Sequence, residues 1–234
     1  MDLKTALFAL ADIFMIFAGL TYGWKFIRDY KNYLLGLEWI IVGSSGTNFL
    51  AWGLFSGKET SPMYYLAFFL DAFSRSIGIT VILVLGLMMV THGFKPSLPF
   101  DVGVFALAIA GGLVMLFFAH DLGLKAAIFY VVMNALTTVF LLYFAWRLWR
   151  IGEYRTAIAV TLATAAAAAI AGMYDFYHIP GDDQHHTIFY ILALTTWATQ
   201  LTVYYFGYRA LHESNQRTSA EVRKRAIAAQ DLRK

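Results

Sequence analysis

MYYLAFFLDAFSRSIGITVILVLGLMMV, residues 63–90, is the stretch on which the reading of this 234-residue chain turns. A helix needs about 20 predominantly apolar residues to cross a bilayer, and this stretch supplies them with length to spare. Two charges stand inside it, Asp71 and Arg75. Four positions apart on a helix, they share a face and can pair. A single charge at bilayer depth costs roughly 2.5–3.5 kcal/mol on insertion scales. A charge pair held there therefore marks an inward-facing, functional surface.

The rest of the chain agrees with a membrane solvent. It is 59% hydrophobic and 14% charged, with mean hydropathy +0.60, whereas soluble domains carry about 25% charged residues. The expectation is an all-α polytopic protein, integral to a plasma or inner membrane. Seven apolar segments are read at about 5–24, 33–56, 63–91, 98–119, 124–146, 156–177 and 187–208. They form a transmembrane domain over 1–212, followed by a basic cytoplasmic tail over 213–234. The run from Thr5 to Trp24 is too long for a signal-peptide core and reads as a span. Polar breaks fall at Gly57-Lys58-Glu59, Gly93-Phe94-Lys95-Pro96, Asp121-Leu122-Gly123 and Ile179-Pro180-Gly181-Asp182-Asp183. Cysteine is absent, which removes disulfides, thiolate metal ligands and cysteine nucleophiles.

Positive charge sets the orientation. One set of segment ends holds Lys25, Arg28, Lys31, Lys95, Arg147, Arg150, Arg155, Arg209 and the tail, fourteen of the 18 basic residues. The opposite set holds Lys4, Lys58 and Lys125. This predicts an external N-terminus and a cytoplasmic C-terminus. Basic residues spread along membrane edges, rather than gathered in one patch, argue against nucleic-acid binding.

A weak internal repeat is visible. Tyr22-Gly23-Trp24-Lys25-Phe26-Ile27-Arg28 at the end of segment one parallels Phe144-Ala145-Trp146-Arg147-Leu148-Trp149-Arg150 at the end of segment five. The same offset pairs Asp12 with Asn134, and a slightly larger one pairs Arg75 with Gln200. With seven segments, this suggests two parallel three-helix halves joined by the fourth. Parallel repeats of this kind occur in transporters, with the substrate site between the halves.

Counting along each helix at about 1.5 Å per residue places Asp12, Asn48, Asp71, Arg75, Asn134 and Gln200 near mid-membrane. They are the expected substrate or ion pathway. A second group, Asp175, His178, Asp182, His185 and His186, collects on the outer side and is read as a candidate divalent-metal or proton site. Glu38 and Asp101 sit near cytoplasmic segment ends and are expected to be hydrated; in a transporter they would line an inner gate. Gly43-Ser44-Ser45-Gly46 and the Ala-rich run 163–172 let neighbouring backbones approach closely; the latter also suits a subunit contact in a homo-oligomer.

Seven helices with an external N-terminus are the helix number and orientation of microbial rhodopsins. A retinal Schiff base needs an amine, and neither segment seven nor any other segment interior carries a lysine. No covalent retinal is expected, and apart from a divalent metal at the outer group no cofactor is expected. The leading reading is a membrane transporter or channel for a small polar or anionic solute, with Arg75 attracting an anionic group or acting with Asp71 as a proton-linked switch. The alternatives are a seven-helix receptor or sensor whose tail meets a partner, and a membrane-embedded metal-dependent hydrolase using the outer His/Asp group.

Overall fold

The computed structural model describes residues 3–55, 58 and 60–231. Gly57 and Glu59 of the first polar break and the last three tail residues lie outside the described residues. Within them the regular elements are seven helices and no strand: α1 Leu3–Tyr30, α2 Tyr33–Phe55, α3 Pro62–Thr91, α4 Leu98–Leu122, α5 Leu124–Arg150, α6 Tyr154–Met173 and α7 Thr187–Asp231. The first six are each long and apolar enough to cross a membrane. Large apolar side chains point outward along them, among them Phe17, Phe117, Val139 and Leu162, as expected where the solvent is hydrocarbon.

Local chemistry sets the boundaries. Lys31, at φ 53°, reverses the chain after α1, and the buried Asn32 then opens α2 by accepting from the Leu35 N–H at 3.1 Å. The Asn32 amide also donates to the Gly86 carbonyl at 2.9 Å, which ties the start of α2 to α3. At the start of α3, Ser61 accepts from the Tyr64 N–H while Pro62 occupies the first helical position. Helices α1 and α2 touch along glycines. A Cβ added at Gly19 would lie 2.7 Å from the Gly43 Cα, so only glycine permits that approach.

The packed core sits at the Lys/Arg-rich end. Phe26 of α1, Trp39 of α2, Leu87 of α3, Phe144 and Leu148 of α5, and Tyr204 and Tyr208 of α7 are all buried there. Trp39 donates to the Leu201 carbonyl at 3.2 Å, and Asn215 to the Val90 carbonyl at 2.8 Å. Arg147 donates to the Thr91 carbonyl. These bonds close the bundle at that end and leave its open volume in the other half.

Two features depart from the sequence reading. The expected tail does not separate from segment seven: α7 runs unbroken for 45 residues, roughly 68 Å at 1.5 Å per residue. In the middle of α3, Ser74–Ile82 is π-helical, with the Leu83 N–H bonded to the Gly78 carbonyl five residues back. Long π segments are rare and tend to fall at functional sites. Here Ser76 and Thr80 hydroxyls bond back to the Phe73 and Ser76 carbonyls, at 3.2 and 2.9 Å, offering backbone groups side-chain partners where the helix widens.

Candidate functional site

Arg75 is the second residue of the π-helical stretch, and two helices besides its own deliver groups to it. Its Nη1 lies 3.4 Å from Asp71 Oδ2, one turn back on α3, and its Nη2 bonds to Asp175 Oδ2, two residues past the end of α6. The guanidinium is sandwiched between the rings of Tyr130 of α5 and Tyr174, with Cζ 4.0 and 3.9 Å from their centroids. Tyr174 also donates its hydroxyl to Asp71 Oδ1 at 3.2 Å and stacks on Trp197 of α7, with centroids 6.2 Å apart. The cation is satisfied in its plane by carboxylates and on both faces by aromatic rings. With both carboxylates ionised, two negative charges against one positive leave a surplus of one negative charge.

Beneath this cluster lies a cavity of about 120 Å³, lined by Ser45, Asp71, Arg75, Asn134, Trp197 and Gln200 among others. It is somewhat smaller than the roughly 150 Å³ cavity known to hold benzene. A second space of about 30 Å³ adjoins it, sharing Ile79, Asn134, Trp197 and Gln200 and adding Thr137, Thr138 and Thr164. That is room for a water or two. Gln200 Nε2 donates to the Tyr204 hydroxyl at 3.0 Å, which in turn lies 2.7 Å from the Thr164 hydroxyl. Polar groups therefore continue from the charged cluster toward the packed core.

The sequence-predicted pathway divides. Asp71, Arg75, Asn134 and Gln200 line the two spaces. Asn48 instead donates to the Met63 carbonyl at 2.9 Å and clips α2 to the start of α3. Asp12 is fully buried between α1 and α2, seated against Gly46, with no hydrogen-bond partner on either oxygen. Glu38 and Asp101, expected to be hydrated at segment ends, are also buried, at 0% and 8% exposure. Glu38 is covered from the middle of α3, where its carboxyl group meets Gly78.

The outer group is likewise redistributed. Asp175 belongs to the Arg75 cluster rather than to the histidines. Asp182 accepts from the N–H groups of Asp183, Ile188 and Phe189 at 2.9 Å each, and Asp183 accepts from Thr187 and His185, so both acids serve the start of α7. Slight burial works against the Asp182 charge, but those N–H groups hold its carboxyl below the usual carboxylate range; the Thr187 backbone and hydroxyl do the same for Asp183. His178 and His186 approach Nδ1 to Nδ1 at 3.2 Å, and His185 is exposed. Among the described residues no three His, Asp or Glu side chains are gathered to hold a metal ion.

Tyr130 and Glu38 had no place in the sequence-derived site. Tyr130 carries no signal beyond being an aromatic residue inside a span. Glu38 does, since it is the one charged residue of α2. No family model matches the chain, and comparison with curated proteins and with solved structures also finds no match.

Proposed function

We propose that the chain is a membrane carrier or channel for a small polar solute, with the Arg75–Asp71–Asp175 cluster at the head of the pathway and Asn134 and Gln200 along it. The observation that carries this reading is a charged cluster opening onto a cavity of about 120 Å³ from which polar groups continue inward. Charges inside a membrane protein characteristically mark such pathways. An anionic solute would have to displace a carboxylate from Arg75, whose plane and faces are already occupied. With both carboxylates ionised, the cluster suits a neutral or cationic solute better.

The proposal includes seven spans with an external N-terminus. The first stretch of α7 is the seventh span: from Phe189 to Leu211 one of its faces is buried against the bundle, and it has the length to cross. Basic residues concentrated at one end support the orientation. In the repeat reading, the close α1–α2 and α5–α6 pairs occupy corresponding places in the two halves.

The test is a stopped-flow shrink–swell measurement on proteoliposomes with glycerol, urea, acetamide, methylammonium and acetate as probes. At least one should pass faster than through protein-free vesicles, and Arg75→Gln should abolish the difference while the protein still folds. Rates equal to protein-free vesicles for every probe would remove the reading. A second reading, a sensor, is favoured by one observation: the helix that lines the cavity with Trp197 and Gln200 continues without interruption to Asp231.

A further inference from the structure

Glu38 is a carboxylate that the solute pathway does not use. It lies on α2, one and two turns from Val42 and Ser45 on the same helix face, and both of those residues line the cavity. It therefore sits about 6 Å below the cavity level, on the side of the packed core. The side chain is fully buried, and neither oxygen has a hydrogen-bond partner. Its carboxyl group presses into a notch that exists because residue 78 is glycine: a Cβ there would stand 2.4 Å from Glu38 Oε1. Gly78 is the midpoint of the π-helical stretch.

The polar side chain that bears on Glu38 is Ser74, beside it but outside hydrogen-bond geometry, and Ser74 itself lines the cavity. No titratable or charged group of α1, α3 or α7 bears on it among the described residues. Arg75, next to Ser74, is directed to Asp175. A buried ionised carboxylate with no hydrogen bond and no cation is far more costly than the neutral acid.

From this juxtaposition we infer that Glu38 is a proton-binding site of the pathway, loaded in the conformation described and emptied through Ser74 into the cavity when the π-helical stretch of α3 rewinds. In that step the carboxyl O–H bond breaks, the proton passes to the Ser74 oxygen, and the Ser74 proton passes to a cavity water. A carboxylate and a hydronium ion result. The emptying half rests on the carrier reading; the loaded state does not.

Two measurements on the full chain reconstituted in lipid separate these halves. In infrared difference spectra at neutral pH, the wild type should show a protonated-carboxyl C=O band that is absent from Glu38→Gln and displaced in Glu38→Asp. Identical wild-type and Glu38→Gln spectra in that region overturn the inference. Should the Gln variant fail to fold, Gly78→Ala, which pushes directly on the carboxyl group, must shift the same band, and an unmoved band overturns it equally. With a pH-sensitive dye inside the vesicles, an external acid jump should drive proton entry about tenfold faster in the wild type than in Glu38→Gln. Equal rates overturn the emptying step. If instead no probe solute passes at all while the infrared band and the proton rates behave as stated, the solute reading fails and the proton site stands.

Discussion

Removing one partner at a time from the Arg75 cluster gives a quantitative check on the site. The Arg75–Asp175 bridge joins α3 to the end of α6, with side chains 15% and 25% exposed. Exposed pairs contribute roughly 0.2–1 kcal/mol, and breaking a buried one costs about 3–5 kcal/mol. A bridge this well covered, yet open to the cavity, should show a coupling of about 2 kcal/mol in a double-mutant cycle of Arg75→Gln and Asp175→Asn. The Arg75–Asp71 pair is 3.4 Å apart on one helix, with the aspartate 31% exposed; its coupling should be about 0.5 kcal/mol, as for other pairs four apart. Arg75→Gln alone also loses two ring contacts of roughly 0.5–1 kcal/mol each and should destabilise by about 4 kcal/mol in all. Unfolding in mixed micelles, followed through tryptophan fluorescence, reads these differences, since Trp197 stacks on Tyr174 beside the cation. A bridge coupling below about 0.5 kcal/mol, or one no larger than that of the Asp71 pair, would refute the assignment of Asp175 as the principal partner.

Trp39→Phe removes a second donor to the Leu201 carbonyl, which keeps its helical partner, inside the packed end and should cost about 0.5–1.5 kcal/mol, the net worth of one hydrogen bond, measured in the same unfolding assay. Gly19→Val should prevent α1 from seating on α2, because even a Cβ there meets Gly43 at 2.7 Å; loss of the monodisperse peak in size-exclusion chromatography is the readout. Asp182 and Asp183 have carboxyls held below their unfolded values. The stability they contribute is therefore present above about pH 4 and is lost as pH falls through their lower folded values. Asp182→Asn with Asp183→Asn should flatten the acid end of the stability–pH curve and leave neutral pH as the point of greatest loss. Truncation after Ser219 should change the unfolding free energy by no more than about 0.5 kcal/mol, since residues 220–231 are exposed, while lowering helical circular dichroism.

Much of the bundle was legible because hydrocarbon imposes a simple grammar of long apolar runs with charges at their ends. Residues 63–90 gave α3, and Gly43 gave the close α1–α2 contact, from residue type alone. Asn134 and Gln200 line the cavity, but depth alone did not select them, since Asp12 and Asn48, placed at the same depth, are engaged elsewhere. The meeting of Arg75 with Asp175 was not legible, since a hundred positions separate them and three histidines beside Asp175 offered a competing partner. Glu38 and Asp101 were misread because a place near the end of an apolar run does not tell what packs across it; Glu38 meets Gly78, in the middle of α3. The tail looked independent because it is polar on every side. Yet no Gly or Pro interrupts residues 208–231, and Arg209, Glu213 and Arg217 support one another at four-residue spacing.

The unbroken α7 has a mechanical consequence. Gln200 at the cavity and Asp231 at the far end are 31 residues apart on one helix, about 46 Å of stiff rod. Pivoted at the cavity, that rod turns a tilt of about 5° into a sideways sweep of roughly 4 Å at its tip. A rearrangement too small to notice at the cavity becomes, at the far end of α7, a displacement on the scale of a whole side chain.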